Sequence, residues 1–338
     1  MKDGRFLTMG IESSCDETAV AITADGREVL ANIISSQIAI HTQYGGVVPE
    51  IASREHLTNI NPCIEQALAE AGVTMDEIDL IGVTNGPGLI GALVIGVAAA
   101  KALALAADKP LIGVNHMHGH VSGNYIASPT LEPPFTALVV SGGHTNIVAV
   151  DSYTEYRVLG GTRDDAAGEA YDKVARVIGL GYPGGPKIDR AAKAGDPEVI
   201  HFKRVYLEKD GFDFSFSGIK TQVLNYVNHE RQQGRDVNVN DVAAGFQEAV
   251  VEVLVEKAVG AVKELGEKRL VIAGGVAANS RLRAALAARC AREQLQLFLP
   301  PPELCTDNAA MIACAAYYDY QAGLRSDLRL DAYADLPF

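Results

Sequence analysis

His116 and His120, in the run Asn-His-Met-His-Gly-His, stand four residues apart, so a helix carrying them turns both imidazoles the same way. Two imidazoles on one face can grip a single ion. With a carboxylate they make an open site for a divalent transition metal, leaving positions for a substrate. The carboxylate read with them is Asp307, in Cys-Thr-Asp-Asn far downstream. A zincin-type peptidase would need Glu directly after the first His as its base, and Met117 stands there instead. Two glycine turns offer a second kind of chemistry. Ser141-Gly142-Gly143-His144-Thr145 bares backbone N–H groups to which a phosphate can come close, and Gly274-Gly275 opens a helix whose N-terminus can face an anion.

The elements that must position these groups occur twice. Leu7–Ile22 and Phe135–Val150 align without a gap at an offset of 128 residues, and each reads as apolar strand, small polar turn, apolar strand. Leu80–Gly88 and Leu270–Asn279 each run strand, glycine turn, helix, and alanine-rich helical sequence follows both, at Leu89–Ala107 and Ser280–Arg292. This pattern predicts a duplicated α/β fold of two lobes with mixed sheets and a cleft between them. The proline-rich junction Ser128–Pro134 sets the boundary, giving lobes of 1–128 and 129–338, with the last helix or tail free to pack back on the first lobe. Phe212–Lys220 alternates aromatic and small residues and reads as a half-buried strand.

Composition narrows the function classes. The chain has 338 residues, about two domains' worth, and 48% hydrophobic content is ample for two cores. A net charge of −13 excludes a general basic surface for nucleic acid, so any such contact needs a local patch or a partner. Candidates for the patch are Lys187, Arg190 and Lys193, then Lys203 and Arg204, then Lys220. Five cysteines, an odd number without a Cys-x-x-Cys pair, suit a reduced cytoplasmic protein. Leu80–Ala100 is uncharged and long enough to span a bilayer, but Asn85-Gly86-Pro87-Gly88 breaks it, so it reads as strand, turn and buried helix with no membrane contact.

Ten motifs in order carry a resemblance: MGIESSCDET at 9–18, GGVVPEIASREH at 45–56, NGPGLIGAL at 85–93, HMHGH at 116–120, SGGHT at 141–145, GEAYDK at 168–173, YPGGP at 182–186, FSFSGIKT at 214–221, AGGVAAN at 273–279 and CTDNAAM at 305–311. They resemble the tRNA threonylcarbamoyl transferases of bacteria, the TsaD family, formerly called O-sialoglycoprotein endopeptidases. The match runs from about residue 7 to 320. Ser13 stands where the family commonly has Thr, and His118 where Glu is common.

The resemblance implies a two-lobed actin-like fold (the ASKHA class, a duplicated ribonuclease-H-like unit) with an interlobe nucleotide cleft. The reaction it implies moves a threonylcarbamoyl group from threonylcarbamoyl-AMP to the exocyclic amine of the adenosine after the anticodon, in tRNAs reading codons that begin with A. One iron or zinc ion would be held by His116, His120 and Asp307. Val139, Val140, Ser141, Gly142 and Gly143 would form the substrate loop, and Asp172, Gly185, Asp189 and Asn279 would contact the adenylate. Glu12 and Asp16 are the candidates to accept the amine proton. Implied partners are tRNA, a shorter actin-like paralogue (TsaB) and a P-loop ATPase (TsaE), with a homodimer when the chain is alone. The runner-up reading is an actin-like ATPase or small-molecule kinase, which would place magnesium on carboxylates and phosphates rather than on imidazole.

Overall fold

The computed structural model describes residues 4–207 and 211–338. They divide into two compact units: the first holds the chain up to Pro133 with Asp151–Tyr156 and Pro300–Phe338, the second Pro134–Val150 and Arg157–Leu299. In the first, β1 (Leu7–Glu12), β2 (Glu17–Ala24), β3 (Glu28–Ser36), β4 (Leu80–Gly86) and β5 (Leu111–Asn115) form a sheet of order β3-β2-β1-β4-β5. In the second, β6 (Phe135–Val140), β7 (Thr145–Val150), β8 (Tyr156–Gly161), β9 (Arg269–Ala273) and β10 (Gln296–Phe298) form a sheet of order β10-β9-β6-β7-β8. Read from the opposite edge, that is the same plan strand for strand. Each sheet opens with an antiparallel hairpin, Leu7 opposite Ala24 in one and Phe135 opposite Val150 in the other. In each, a later strand joins the first in parallel, β4 beside β1 and β9 beside β6. The duplication expected from the sequence is real.

Strand alternation decides what each face of the first sheet can do. Leu7, Met9 and Ile11 of β1, with Ile81 and Val83 of β4, bury against the helices Pro49–Ala71 and Ile90–Ala107. The alternate residues Thr8, Gly10 and Glu12, with Gly82 and Thr84, therefore face the other way. Gly10 and Gly82 are register partners. A Cβ at Gly10 would run into the Ala309 carbonyl and Ala313, and one at Gly82 into the Ala316 methyl. The glycine pair is thus a flat seat on which the alanine-rich helix Ala309–Gln321 lies close to the sheet.

That seat explains where the end of the chain lies. Residues 300–338 belong to the first unit, the return for which the boundary at 129 left the last helix or tail free. Two readings change. Helix Ile90–Ala107 is, among the described residues, the one long and apolar enough to cross a membrane, yet it is not a buried helix: only 33% of it is buried, and Ile90, Val94 and Leu105 are exposed. Phe212–Lys220 is not a strand. Phe214 makes one isolated bridge to Thr162, and a helix starts at Ser217. The distant Asp164 carboxylate accepts from the N–H groups of Phe216 and Ser217 and from both serine hydroxyls, capping that helix from outside the segment.

Candidate functional site

β5 runs straight into the helix His116–Ala127, whose N-cap Asn115 accepts from the Met117 N–H at 2.8 Å. His116 is therefore the first helical residue, and His120 sits one turn on. Asp307 immediately precedes Asn308, the N-cap of helix Ala309–Gln321, whose side chain accepts from the Met311 N–H at 3.0 Å. Two asparagine-capped helix starts thus supply the three groups. All three lie in the first unit. The carboxylate does not come from the second lobe, as the domain boundary had implied, because the glycine seat returns its helix to the first sheet.

His116 Nε2 and His120 Nε2 lie 3.4 and 3.3 Å from the same Asp307 Oδ1, and one ligand atom from each residue falls within 4.8 Å of the others. Neither ring nitrogen of His120 has a hydrogen-bond partner, although the ring is buried. An orphaned buried imidazole is costly unless something else takes its lone pair. Nitrogen and oxygen ligands about 2.0–2.1 Å from a tetrahedral ion sit roughly 3.3 Å apart, so the observed separations fit a metal better than a hydrogen bond.

Glu12 contacts this site through His116. It is fully buried at the end of β1, on the face that the alternation predicts, and accepts from Thr84 Oγ1 at 2.6 Å and from the Ser14 N–H. Its Oε2 lies 3.0 Å from His116 Nδ1. A proton on Nδ1 shared with Glu12 leaves the Nε2 lone pair free for an ion. Burial pushes the Glu12 carboxyl up, but the charge and hydrogen bond of His116 outweigh it and hold it below its usual value. Burial lowers His116 too, yet the charges of Glu12 and Asp307 overcome that and raise it well above an ordinary imidazole. For Asp307, burial is again overridden by His116 and His120, which keep the carboxyl far below the usual range. Burial lowers His120, favouring the neutral form that ligates.

Asp16 lies in the β1–β2 turn and is largely buried. The turn is held by His56, which meets the Cys15 carbonyl at 2.9 Å and Thr18 Oγ1 at 2.7 Å, and by the Leu89 N–H on the Ser14 carbonyl. Beside Asp16, Glu17 is pushed up to about 10 by burial and then by the charges of Asp307 and Asp16. His118 does not join the triad. It stacks on Tyr156 with ring centres 4.0 Å apart.

The nine residues expected at the substrate all lie in the second unit. Val139 and Val140 complete β6 with buried side chains, so Gly142 and Gly143 are the exposed part of that loop. Ser141 closes the turn, its N–H on the His144 carbonyl and its hydroxyl accepting from the His144 N–H. Asp172 accepts from the Gly184 N–H at 2.6 Å, which fixes the start of helix Gly184–Ala192 and places Gly185 in its first turn. Both oxygens of Asp189, on that helix, accept from Ser280 Oγ at 2.8 and 2.9 Å. Asn279 caps helix Ser280–Glu293 and donates to Gln247 Oε1 at 2.7 Å. Gly274-Gly275 begins a short 3₁₀ turn, and the long helix starts only at Ser280. Of the proposed basic patch, Lys193, Arg204 and Lys220 are ion-paired, with Asp189, Glu252 and Asp165.

Thr84, Ser14 and the two asparagine caps did not emerge from the sequence reading. Asn directly before a His-x3-His run is a cap signal that could have marked Asn115.

The family model for tRNA N6-adenosine threonylcarbamoyltransferase matches residues 28–314. A protein of that name from Moorella thermoacetica is 56% identical over 329 residues, covering 97% of this chain and 96% of its own length. Among solved structures, T. kodakarensis HypF aligns at 15% identity with a TM-score of 0.62 over 94% of this chain and 48% of its own. Component A of the Acidaminococcus fermentans (R)-2-hydroxyglutaryl-CoA dehydratase aligns at 17% identity with a TM-score of 0.52, over 94% and 99%. Those two likenesses fix the two-lobed actin-like α/β fold. The extent and identity of the first two matches fix more: this chain is a member of the tRNA N6-adenosine threonylcarbamoyltransferase family, and it is a transferase.

Proposed function

We propose that the chain transfers a threonylcarbamoyl group from threonylcarbamoyl-AMP to the N6 amine of the adenosine following the anticodon, in tRNAs reading codons that begin with A, with release of AMP. The observation that carries this reading is the convergence of His116 Nε2, His120 Nε2 and Asp307 Oδ1 in a chain of this family. One iron or zinc ion is the occupant, since two imidazoles and a carboxylate suit either metal. When bound, it supplies a Lewis acid that orients and neutralises the donor's anionic oxygens. Glu12 serves as a positioning residue. Its carboxylate is committed to Thr84, Ser14 and His116, so it sets the His116 tautomer rather than taking the amine proton. Asp16 takes the role of proton acceptor, with Glu17 beside it holding a proton at neutral pH.

In the second unit the exposed Gly142-Gly143 backbone and the start of helix Gly184–Ala192 are suited to the phosphate, and Asp172, Gly185, Asp189 and Asn279 to the adenosine. The donor is a mixed anhydride, already activated, and an adenine amine is a weak nucleophile, so positioning supplies much of the rate.

The partners proposed are tRNA, the actin-like paralogue TsaB and the ATPase TsaE, with a homodimer when these are absent. Exposed Leu57, Ile90, Val94 and Leu105 on helices Pro49–Ala71 and Ile90–Ala107 support a protein-binding face there. A cytoplasmic location follows from a tRNA substrate. The test is reconstitution with threonylcarbamoyl-AMP, the partners and unmodified tRNA, with nucleosides read by mass spectrometry. The wild-type chain yields the modified nucleoside and His116→Ala does not; full activity in His116→Ala refutes the metal role.

A further inference from the structure

The segment Asp331–Phe338 crosses the strand ends that carry the metal helix. The Tyr333 N–H donates to the Asn85 carbonyl at 2.8 Å, and the Gly88 N–H donates to the Ala334 carbonyl at 3.2 Å. Asn85 Nδ2 donates to the Asp331 carbonyl at 3.3 Å. A Cβ at Gly86 would lie 3.1 Å from that of Leu336, so the segment sits directly on the end of β4. Thr84, two residues inside that end, donates to the Glu12 carboxylate.

Two contacts then reach the helix itself. Asn115, whose oxygen caps it, uses its Nδ2 to donate to the Pro337 carbonyl at 2.8 Å. The Phe338 ring lies 5.3 Å from that of His118 and 5.6 Å from that of Tyr156. His118 is thus enclosed by two aromatic rings, and its buried Nε2 has no hydrogen-bond partner. It lies between those rings, two residues from His116 and two from His120.

We infer that Asp331–Phe338 is a strap that positions the metal helix, acting through Asn115 at its cap and His118 in its first turn. The inference rests on the metal reading above and deepens it. His116 follows Asn115 directly and His120 sits one turn on, so a small rotation of this helix moves both Nε2 atoms away from Asp307. Outer groups that orient metal ligands typically change affinity by about 10–100-fold when lost.

Two variants of the full chain test this. Asn115→Asp keeps an oxygen for the Met117 N–H and loses the donor to Pro337; Phe338→Ala removes the ring. The measurements are zinc affinity by chelator competition, the visible spectrum of the cobalt-substituted protein, and the melting temperature of the metal-free chain. Each variant is expected to lose about 10–100-fold in zinc affinity and to change the cobalt spectrum, while the metal-free melting temperature holds, and Phe338→Tyr is expected to restore both. If Asn115→Asp fails to fold, Phe338→Ala decides alone. Wild-type affinity and spectrum in the folded variants overturn the strap and leave the metal reading standing. If the wild-type chain itself binds neither zinc nor cobalt, the metal reading fails and the strap with it.

Discussion

The two sheets share one strand plan and carry different cargo. In the first copy Glu12 ends the first strand and Asp16 sits in the hairpin turn, and the fifth strand leads directly into a capped helix that starts with a histidine. In the second copy the hairpin turn is Ser141-Gly142-Gly143, without a carboxylate, and after the fifth strand the chain leaves through Pro300-Pro301-Pro302. Its next long helix, Ala309–Gln321, packs on the first sheet. The helices that follow the two fifth strands therefore share one unit, and His116 and Asp307 stand at their starts. Both starts project partial positive charge, which suits the carboxylates of Asp307 and Glu12 beside them. Duplication supplied the scaffold, and the difference between copies placed the His116, His120 and Asp307 cluster in one unit and the exposed Gly142-Gly143 backbone in the other.

The sharpest way to break that comparison is to remove a ligand from each half. Asp307→Ala or His120→Ala leaves two ligands and should reduce bound metal to background, whereas Asp189→Asn in the second unit should leave metal content at the wild-type level while weakening binding of adenosine nucleotides. Metal analysis by mass spectrometry beside nucleotide titration reads both. Equal metal loss from Asp189→Asn would mean that the two halves are not chemically separate.

A second contrast concerns glycine. At Gly82 a side chain meets Ala316, so Gly82→Val should overpack the seat, destabilise the fold by about 1–3 kcal/mol and lower metal affinity by displacing Asp307. At Gly143 a Cβ meets nothing within 4 Å, and Gly143→Ala should change stability by no more than about 0.5 kcal/mol. Denaturant melts of both variants compare the two uses: glycine as a packing surface in one copy and as an open backbone in the other. Similar destabilisation in both would refute it.

What could be read from the chain follows the range of the interactions involved. His116 and His120 are tied by helical periodicity, and the paired hairpins by strand alternation, so both were visible locally. The origin of Asp307 in the first unit was not, because it depends on Gly10 and Gly82, residues 297 and 225 positions away from it. Each of those glycines alone reads as an ordinary weak point in a strand. Asp164 was invisible for the same reason: it caps a helix about 50 residues later, turning an alternating segment from strand into loop.

The smallest effect expected concerns what the returning helix carries with it. Asp319, near the end of Ala309–Gln321, is pushed up to about 7 by burial. Its folded pKa is above the unfolded one, so between about pH 4 and 7 the unfolded chain releases this proton while the folded chain keeps it. Stability must then fall as pH rises through that window, and the loss is complete above it. Asp319→Asn has no proton to lose, so it should match the wild-type chain near pH 4 and exceed it by about 1–3 kcal/mol at pH 8, the full shift being discounted for the partial exposure of the residue. Urea melts at the two pH values decide the matter: a stability difference that does not grow with pH would mean that the site accommodates the ionised carboxylate, and that seating this helix on the first sheet carries no electrostatic penalty at Asp319.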